Sequence, residues 1–308
     1  MRQPVKIGTR DSQLAVWQAS LVQNLLKEFD VDSELVFIKS DGDLDTVTPL
    51  YEINVKGIFT KTLDTALLSK RIDLAVHSMK DVPTQLATGI SQAAVLKRAS
   101  HKDVLIFKDN AGFMQDLNSK ATIATSSIRR KAQWLHRYPK HCIENLRGNV
   151  NTRLRKVQEN SWNGAIFAAA GVERIRLRPE SAIDLDWMLP APAQGAIMVV
   201  CREDENSLRD VLANLNDFST AQCTKIERDF LRALLGGCST PISALAEEIS
   251  GKIFFRGNIC SPDGKKVIEV ERLFDITALQ AGITAAEEIM QNDGAHQIIH
   301  NINDRKSD

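Results

Sequence analysis

Apolar residues along this chain switch repeatedly between short continuous runs and helical spacing. The opening shows both. "PVKIGT" (4–9) is short and β-like, "RDS" (10–12) offers a cap, and Leu14, Trp17, Leu21 and Leu25 follow one helix face. "SELVFIKS" (33–40) predicts a second strand and "DGDLDTVTPLYEINVKG" (41–57) a polar loop. "IFTKTLDTALLSK" (58–70) predicts a helix and "IDLAVHSM" (72–79) a buried strand. That alternation predicts an α/β lobe with a largely parallel sheet.

The grammar repeats from about residue 100. "KDVLIF" (102–107) is a strand, and "ATIATSSIRRKAQWLHRY" (121–138) is again strand, Thr, Ser, then a helix carrying a Trp. "CIENLRGNVNTRLRKVQEN" (142–160) and "NGAIFAAAGVERI" (163–175) are two further strand–helix pairs. Two α/β units with similar openings predict two lobes with a cleft between them. The Pro-punctuated "MLPAPAQGAIMVVCRED" (188–204) leads into a strand that can return the chain to the first lobe. After the helix "FSTAQCTKIERDFLRALL" (218–235) the pattern changes. Three strands, "SALAEEI" (243–249), "GKIFFRGNIC" (251–260) and "KKVIEVERLF" (265–274), precede the amphipathic helix "ITALQAGITAAEEIMQN" (276–292), with "SPDG" (261–264) as a turn. The expected fold is therefore α/β, two lobes plus a small α+β C-terminal domain with a three-stranded antiparallel sheet. The expected domains are 1–96 with 195–216, then 97–194, then 217–308.

Composition narrows the class. A chain of 308 residues with 43% hydrophobic and 25% charged residues is an ordinary globular protein of two or three domains. No apolar run approaches a membrane span, and "MRQPVKIGTR" lacks the apolar core of a signal peptide, so a cytoplasmic chain is expected. Five widely spaced cysteines with no C-x-x-C pair argue against a disulfide framework and a zinc site, and no metal is expected.

Charge changes the picture by its distribution. Lys+Arg and Asp+Glu balance at 39 each, yet Arg129 to Lys156 holds nine basic residues and one acid, a local excess of +8. Such a block attracts an anion unless it is only a solvated helix face. In "ATSSIRR", Thr125, Ser126 and Ser127 sit at a strand-to-helix turn, where outward N–H groups meet the positive end of a helix; Arg129 and Arg130 add forked donors. In "LRGNVNTRL", Gly148 permits close backbone approach, Asn149 is polar, and Arg147 and Arg153 flank them. Two anion-ready turns point to a ligand with several negative groups. The first lobe adds Arg10 and Ser12 in "GTRDS", Lys56 in "VKG", and Ser78, Lys80 and Asp81 in "AVHSMKDVP". A carboxylate such as Asp81 would not bind an anion; it suits N–H donors or a positive charge that develops during reaction. Cys238, between "GG" and "STPI", sits on a bend open to a reactive role, although no motif pairs it with a histidine.

Together "TRDSQLAVWQA", "KGIFTKTL", "DLAVHSMKDVP", "TSSIRRKAQ", "LRGNVNTRL", "PAPAQGA" and "GGCSTPI" resemble, in order and spacing, the motifs of the porphobilinogen deaminase (hydroxymethylbilane synthase) family, across nearly the whole chain. The resemblance implies two periplasmic-binding-protein-like lobes and a third domain bearing the cofactor on a loop. It implies a transferase of porphyrin (haem, tetrapyrrole) biosynthesis that condenses four porphobilinogen molecules head to tail, releasing ammonia each time and finally hydroxymethylbilane. The implied cofactor is dipyrromethane, held by a thioether to Cys238. Asp81 matches the family's catalytic aspartate. Lys80, Ser78, Thr125, Ser126, Ser127, Arg129, Arg130, Gly148 and Asn149 match cofactor-binding positions. Arg10, Ser12, Lys56, Arg147, Arg153, Arg174 and Gln194 match substrate-binding ones. The implied protein is a monomer acting on a small molecule, with no nucleic acid and no membrane.

Three positions depart from the family pattern: "EINVKG" lacks the two glycines many members have before the lysine, Ala124 replaces a common Gly, and Ser40 replaces a usual Thr. Two other classes stay open: a two-lobed binding protein for a polyanionic solute, and a nucleic-acid binder stacking bases on Trp134 and Tyr138.

Overall fold

The computed structural model describes residues 3–39, 60–234 and 240–304. The first stretch of chain runs β1 (Val5–Thr9), α1 (Gln13–Lys27), β2 (Ser33–Phe37), α2 (Lys61–Leu68), β3 (Leu74–Ser78) and β4 (Ile90–Val95). A second run follows: β5 (Asp103–Phe107), β6 (Thr122–Ala124), α3 (Ile128–Arg137), β7 (Cys142–Glu144), α4 (Val150–Glu159), β8 (Gly164–Ala168), α5 (Ala169–Arg174) and β9 (Ile183–Asp184). β10 (Ile197–Arg202) then crosses back and pairs antiparallel with both β3 and β4.

The first sheet has the order β2-β1-β3-β10-β4 and the second β7-β6-β8-β5-β9. These are one arrangement used twice. β1 and β6 each lie between two parallel neighbours, and in each sheet the fourth strand is antiparallel and arrives directly from a crossover. The repeated strand–Thr–Ser–helix grammar of the sequence thus marks equivalent positions. Each sheet is covered on both faces: Ile7, Leu74 and Val199 face one core of the first and Ala75, Met198 and Val200 the other. That double burial explains the continuous apolar runs.

α6 (Asn206–Ala213) packs Leu208, Val211 and Leu212 into the first-lobe core, and the third unit then comprises α7 (Phe218–Ala233), β11 (Ile242–Ile249), β12 (Lys252–Cys260), β13 (Val267–Asp275), α8 (Ala281–Met290) and α9 (Asp293–Asp304). Its three strands are antiparallel in the order β11-β12-β13, and its core centres on Phe230 and Phe255.

The α1 face differs from expectation. The residues buried against the sheet are Ala15, Gln18, Ala19, Val22 and Leu26, one position on from the Leu/Trp stripe. Small residues let the helix approach the sheet closely. Leu14 and Trp17 look across to the second lobe: Leu14 lies 3.8 Å from where a Cβ on Gly171 would stand, and Trp17 lies beneath the Arg174 guanidinium at 5.6 Å. The stripe therefore reports an interlobe contact as much as a core. The strands β4 and β9 and the helices α6 and α9 had no counterpart in the periodicity. β9 has only two residues, and β4 is an edge strand whose "ISQAAV" gives a weak pattern.

Candidate active site

The carboxyl ends of β1, β3, β6 and β8 open on a cleft of about 500 Å³ between the lobes. Ligands of open α/β sheets sit at strand ends of this kind, because the following turns and helix N-termini converge there. Every described residue that the sequence marked as a site candidate lines this cleft: Arg10 and Ser12 after β1; Ser78, Lys80 and Asp81 after β3; Thr125, Ser126, Ser127, Arg129 and Arg130 after β6; Arg147, Gly148, Asn149 and Arg153 around the start of α4; Arg174 at the end of α5; and Gln194 on the return crossover. Lys56 and Cys238 lie outside the described residues. Leu231 and Thr240, on either side of the segment that carries Cys238, both line the cleft.

Three helices begin at the cleft, each with a polar cap. Ser12 Oγ accepts from Ala15 N (3.4 Å), Ser127 Oγ from Arg130 N (3.4 Å) and Asn149 Oδ1 from Thr152 N (3.0 Å). Ser126 is spent structurally: its hydroxyl takes Leu146 N (2.9 Å), reaches the Leu146 carbonyl oxygen (2.6 Å) and bonds Asn145, stitching the two anion-ready turns together. Gly148 adopts φ 109°, and a Cβ there would stand 2.7 Å from Thr152 Cγ2, so only glycine fits where the backbone enters α4.

Among the described residues, seven Lys/Arg side chains line the cleft against two carboxylates, Asp11 and Asp81. Burial, and then the charges of Arg130 and Arg147, lower Arg153 to about 10; burial lowers Arg174 to about 10. Both stay charged at neutral pH. Lys80 is pushed down to about 8, first by burial and then by Arg130, with Asp81 and Asp103 pulling the other way. The Asp81 carboxylate takes no hydrogen bond or ion pair from the described residues, although Lys80 and Arg153 both feel its charge. A cationic cleft in which the Asp81 carboxylate is uncommitted can hold a multiply anionic ligand while offering an acceptor to its N–H groups or to a developing positive charge. The donor set fits a dipyrromethane carrying several carboxylates.

Three expectations change in detail. Arg129 and Arg130 are buried and bind the buried Asp103: Arg129 at 2.7 Å, and Arg130 through Nε (3.0 Å) and Nη2 (2.8 Å). Their remaining terminal nitrogens donate to the Leu189 and Ile166 carbonyl oxygens. They contribute field and a fixed turn more than open forks. Gln194 is fully buried, its Nε2 on Asp103 Oδ1 (2.9 Å) and the His101 carbonyl oxygen (2.7 Å), and its Oε1 accepting from Lys80 Nζ (3.2 Å). It is a strut inside the wall. Trp134 and Tyr138 are buried in an aromatic cluster with His141 and Trp187, so neither can stack a base.

Two residues escaped the sequence reading. Asp103 opens the apolar strand "DVLIF"; a charged residue at the start of so buried a run was the available signal. Arrayed charges hold it at about 2: burial would raise it, but Arg129 and Arg130 prevail. Arg228, on α7, donates to the Val82 (2.9 Å) and Pro83 (2.6 Å) carbonyl oxygens around the turn that carries Lys80 and Asp81. Nothing local in the sequence marks it.

A family model described as "Porphobilinogen deaminase, dipyromethane cofactor binding domain" matches residues 5–210, and one described as "Porphobilinogen deaminase, C-terminal domain" matches 221–291. A protein named porphobilinogen deaminase from Chlorobium phaeobacteroides is 39% identical over 311 residues, 98% of this chain and 99% of its own length. The chloroplastic porphobilinogen deaminase of Pisum sativum is 39% identical over 94% of this chain and 82% of its own. Among solved structures, the periplasmic VFT2 domain of Bordetella pertussis BvgS aligns at TM-score 0.42 with 13% identity, over 68% of this chain and 86% of that one. Among the described residues, no helix is long and apolar enough to cross a membrane.

Proposed function

The chain belongs to the porphobilinogen deaminase family, and from that premise we propose that its cleft carries out the stepwise condensation of four porphobilinogen molecules, with loss of ammonia at each step and final release of hydroxymethylbilane. The observation that carries this reading is the uncommitted Asp81 carboxylate facing a cleft with seven cationic side chains. A protein that only bound a polyanion would lose affinity through such a carboxylate. A transferase that generates positive charge on a pyrrole needs one.

In this reading Arg10, Arg147, Arg153 and Arg174, with Lys56, hold the acetate and propionate groups of incoming and growing chain. Ser12, Ser78, Thr125 and the backbone N–H groups near Gly148 and Asn149 add hydrogen bonds. Arg129 and Arg130 supply positive potential from within the wall. Asp81 accepts a hydrogen bond from the pyrrole N–H and stabilises the cation left when the substrate's ammonium group departs as ammonia. Cys238 would hold dipyrromethane by a thioether, and the group would supply the free pyrrole position at which chain growth starts. The three domains of this reading are 1–96 with 195–216, 97–194 and 217–308. The reading includes a cytoplasmic monomer that needs no nucleic acid; the four described cysteines, all free thiols, suit a reducing compartment.

Intact-protein mass tests the reading most directly. A covalent increment of two pyrrole units is expected on the wild-type chain and absent from Cys238→Ala, which should be inactive. An unmodified, fully active protein would refute it.

A further inference from the structure

A buried polar chain runs from one lobe to the other through both crossovers. Asp103 stands where the outgoing crossover becomes β5, with no exposed surface. On one side it accepts from Arg129 and Arg130, at the N-terminus of α3 in the second lobe. On the other it accepts from Gln194 Nε2 (2.9 Å), on the return crossover. Gln194 in turn accepts from Lys80 Nζ (3.2 Å), in the first-lobe turn beside Asp81. The same Gln194 nitrogen reaches the His101 (2.7 Å) and Lys102 (3.3 Å) carbonyl oxygens, so the amide is oriented from three directions. Its Oε1 is thereby turned toward Lys80.

We propose that Asp103 is a positioning residue that joins the cationic groups of the two lobes: it fixes Arg129 and Arg130 at the anion-facing turn and, through Gln194, orients Lys80 beside Asp81. An arginine pair side by side would repel without a shared carboxylate, and a lysine beside it would swing away from the cleft. The charged groups acting on Lys80 are Arg130, Asp81, Asp103 and Arg129, so the two carboxylates are what keep its ammonium protonated against burial and two guanidiniums. The role of this chain in turnover rests on the activity proposed above. Its effect on Lys80 does not.

The test exploits that difference. Competitive acetylation with acetic anhydride, read by peptide mass spectrometry across pH on the full-length holoprotein, gives the midpoint at which Lys80 becomes reactive without any turnover. In Asp103→Asn the midpoint should fall by about one pH unit, a tenfold loss of proton affinity. In Gln194→Met, which leaves Asp103 paired with both arginines, it should also fall, and kcat should drop at least tenfold with KM within twofold of wild type. Circular dichroism checks that each variant is folded. Should Asp103→Asn fail to fold, Gln194→Met decides alone. An unchanged Lys80 midpoint in a folded variant would overturn the proposed link. A shifted midpoint with unchanged kcat in Gln194→Met would overturn the positioning role. A wild-type protein with no turnover at all would count against the proposed activity and leave the midpoint measurement intact.

Discussion

The Arg228 guanidinium donates to the Pro83 carbonyl oxygen at 2.6 Å, across 145 residues of chain. It also reaches the Val82 (2.9 Å) and Met79 (3.4 Å) carbonyl oxygens, so one side chain from the third unit caps the whole 3-10 turn that presents Lys80 and Asp81. Further along the same helix lies Leu231, a cleft-lining residue just before the Cys238 segment. Charged hydrogen bonds of this kind contribute about 1.5–3 kcal/mol each when their partners would otherwise be buried unpaired. Arg228→Met should therefore lower kcat more than tenfold with a smaller change in KM, and Arg228→Lys should recover only part, since one ammonium cannot span three carbonyls. Steady-state turnover with circular dichroism on the same samples measures this. Near-normal kcat in Arg228→Met would show that the turn holds its shape unaided.

Asp81 should behave in the opposite way toward stability. Its carboxylate makes no hydrogen bond or ion pair with the described residues and acts on Lys80 and Arg153 only through its charge, so little of the fold depends on it. Asp81→Asn keeps the volume and removes the charge. Turnover should fall by roughly 100-fold or more, while the free energy of unfolding in urea stays within about 0.5 kcal/mol of wild type. A loss of several kcal/mol would make it a structural residue.

Much of this was legible in the sequence because it is local. Ser12, Ser127 and Asn149 announce helix starts by their position before periodic apolar residues, and helix starts at strand ends converge on one cleft in any such sheet. The apolar runs of β3, β8 and β10 report two covered faces. What escaped is non-local. Asp103 acquires its partners 26, 27 and 91 residues away, and Arg228 caps a turn in another unit. The division of Arg129 and Arg130 from the other arginines escaped for the same reason: identical residue types read alike until the buried carboxylate that claims two of them is in place. The α1 stripe misled because periodicity marks an apolar face without saying which neighbour covers it.

His77 supplies a pH dependence of stability with a definite sign. Burial first, and the Arg10 charge second, lower it to about 4 in the folded protein, from an ordinary value near 6.5. Between those values the unfolded chain binds the proton and the native state does not, so stability is lost as pH falls from about 6.5 toward 4. The full effect is on the order of 3 kcal/mol. Asp103 acts below that window: held at about 2, it contributes stability that is lost only as pH falls from about 4 to 2. Urea midpoints at pH 7 and pH 5 should therefore differ less in His77→Gln than in wild type. Equal pH slopes in the two proteins would show that His77 is protonated in the fold.

Gly195 is where the two crossovers touch, and its lack of a side chain is a condition of that contact. Its φ is +89°, and a Cβ there would stand 2.6 Å from the Ser100 carbonyl oxygen and 2.7 Å from that of Ala99. Those atoms are backbone and cannot rotate away. The Gly195 carbonyl oxygen meanwhile accepts from Ala99 N (3.1 Å) and from Arg174 Nη2 (2.7 Å), so the approach is fastened by the outgoing crossover and by the second lobe. Gly195→Ala must both adopt an unfavourable φ and push the outgoing crossover aside, at a cost of about 2–4 kcal/mol. Gly251 provides the control: its φ is also positive, +75°, but nothing lies within 4 Å of its would-be Cβ, so Gly251→Ala carries the backbone term alone, about 1 kcal/mol. Urea unfolding of the two variants separates the terms. Because Gly195 follows Gln194, the displaced crossover should also move the Lys80 anchor, and kcat should fall in Gly195→Ala while staying near wild type in Gly251→Ala. Equal destabilisation in the two variants would mean that the crossovers can part without cost, and that backbone conformation alone requires the glycine.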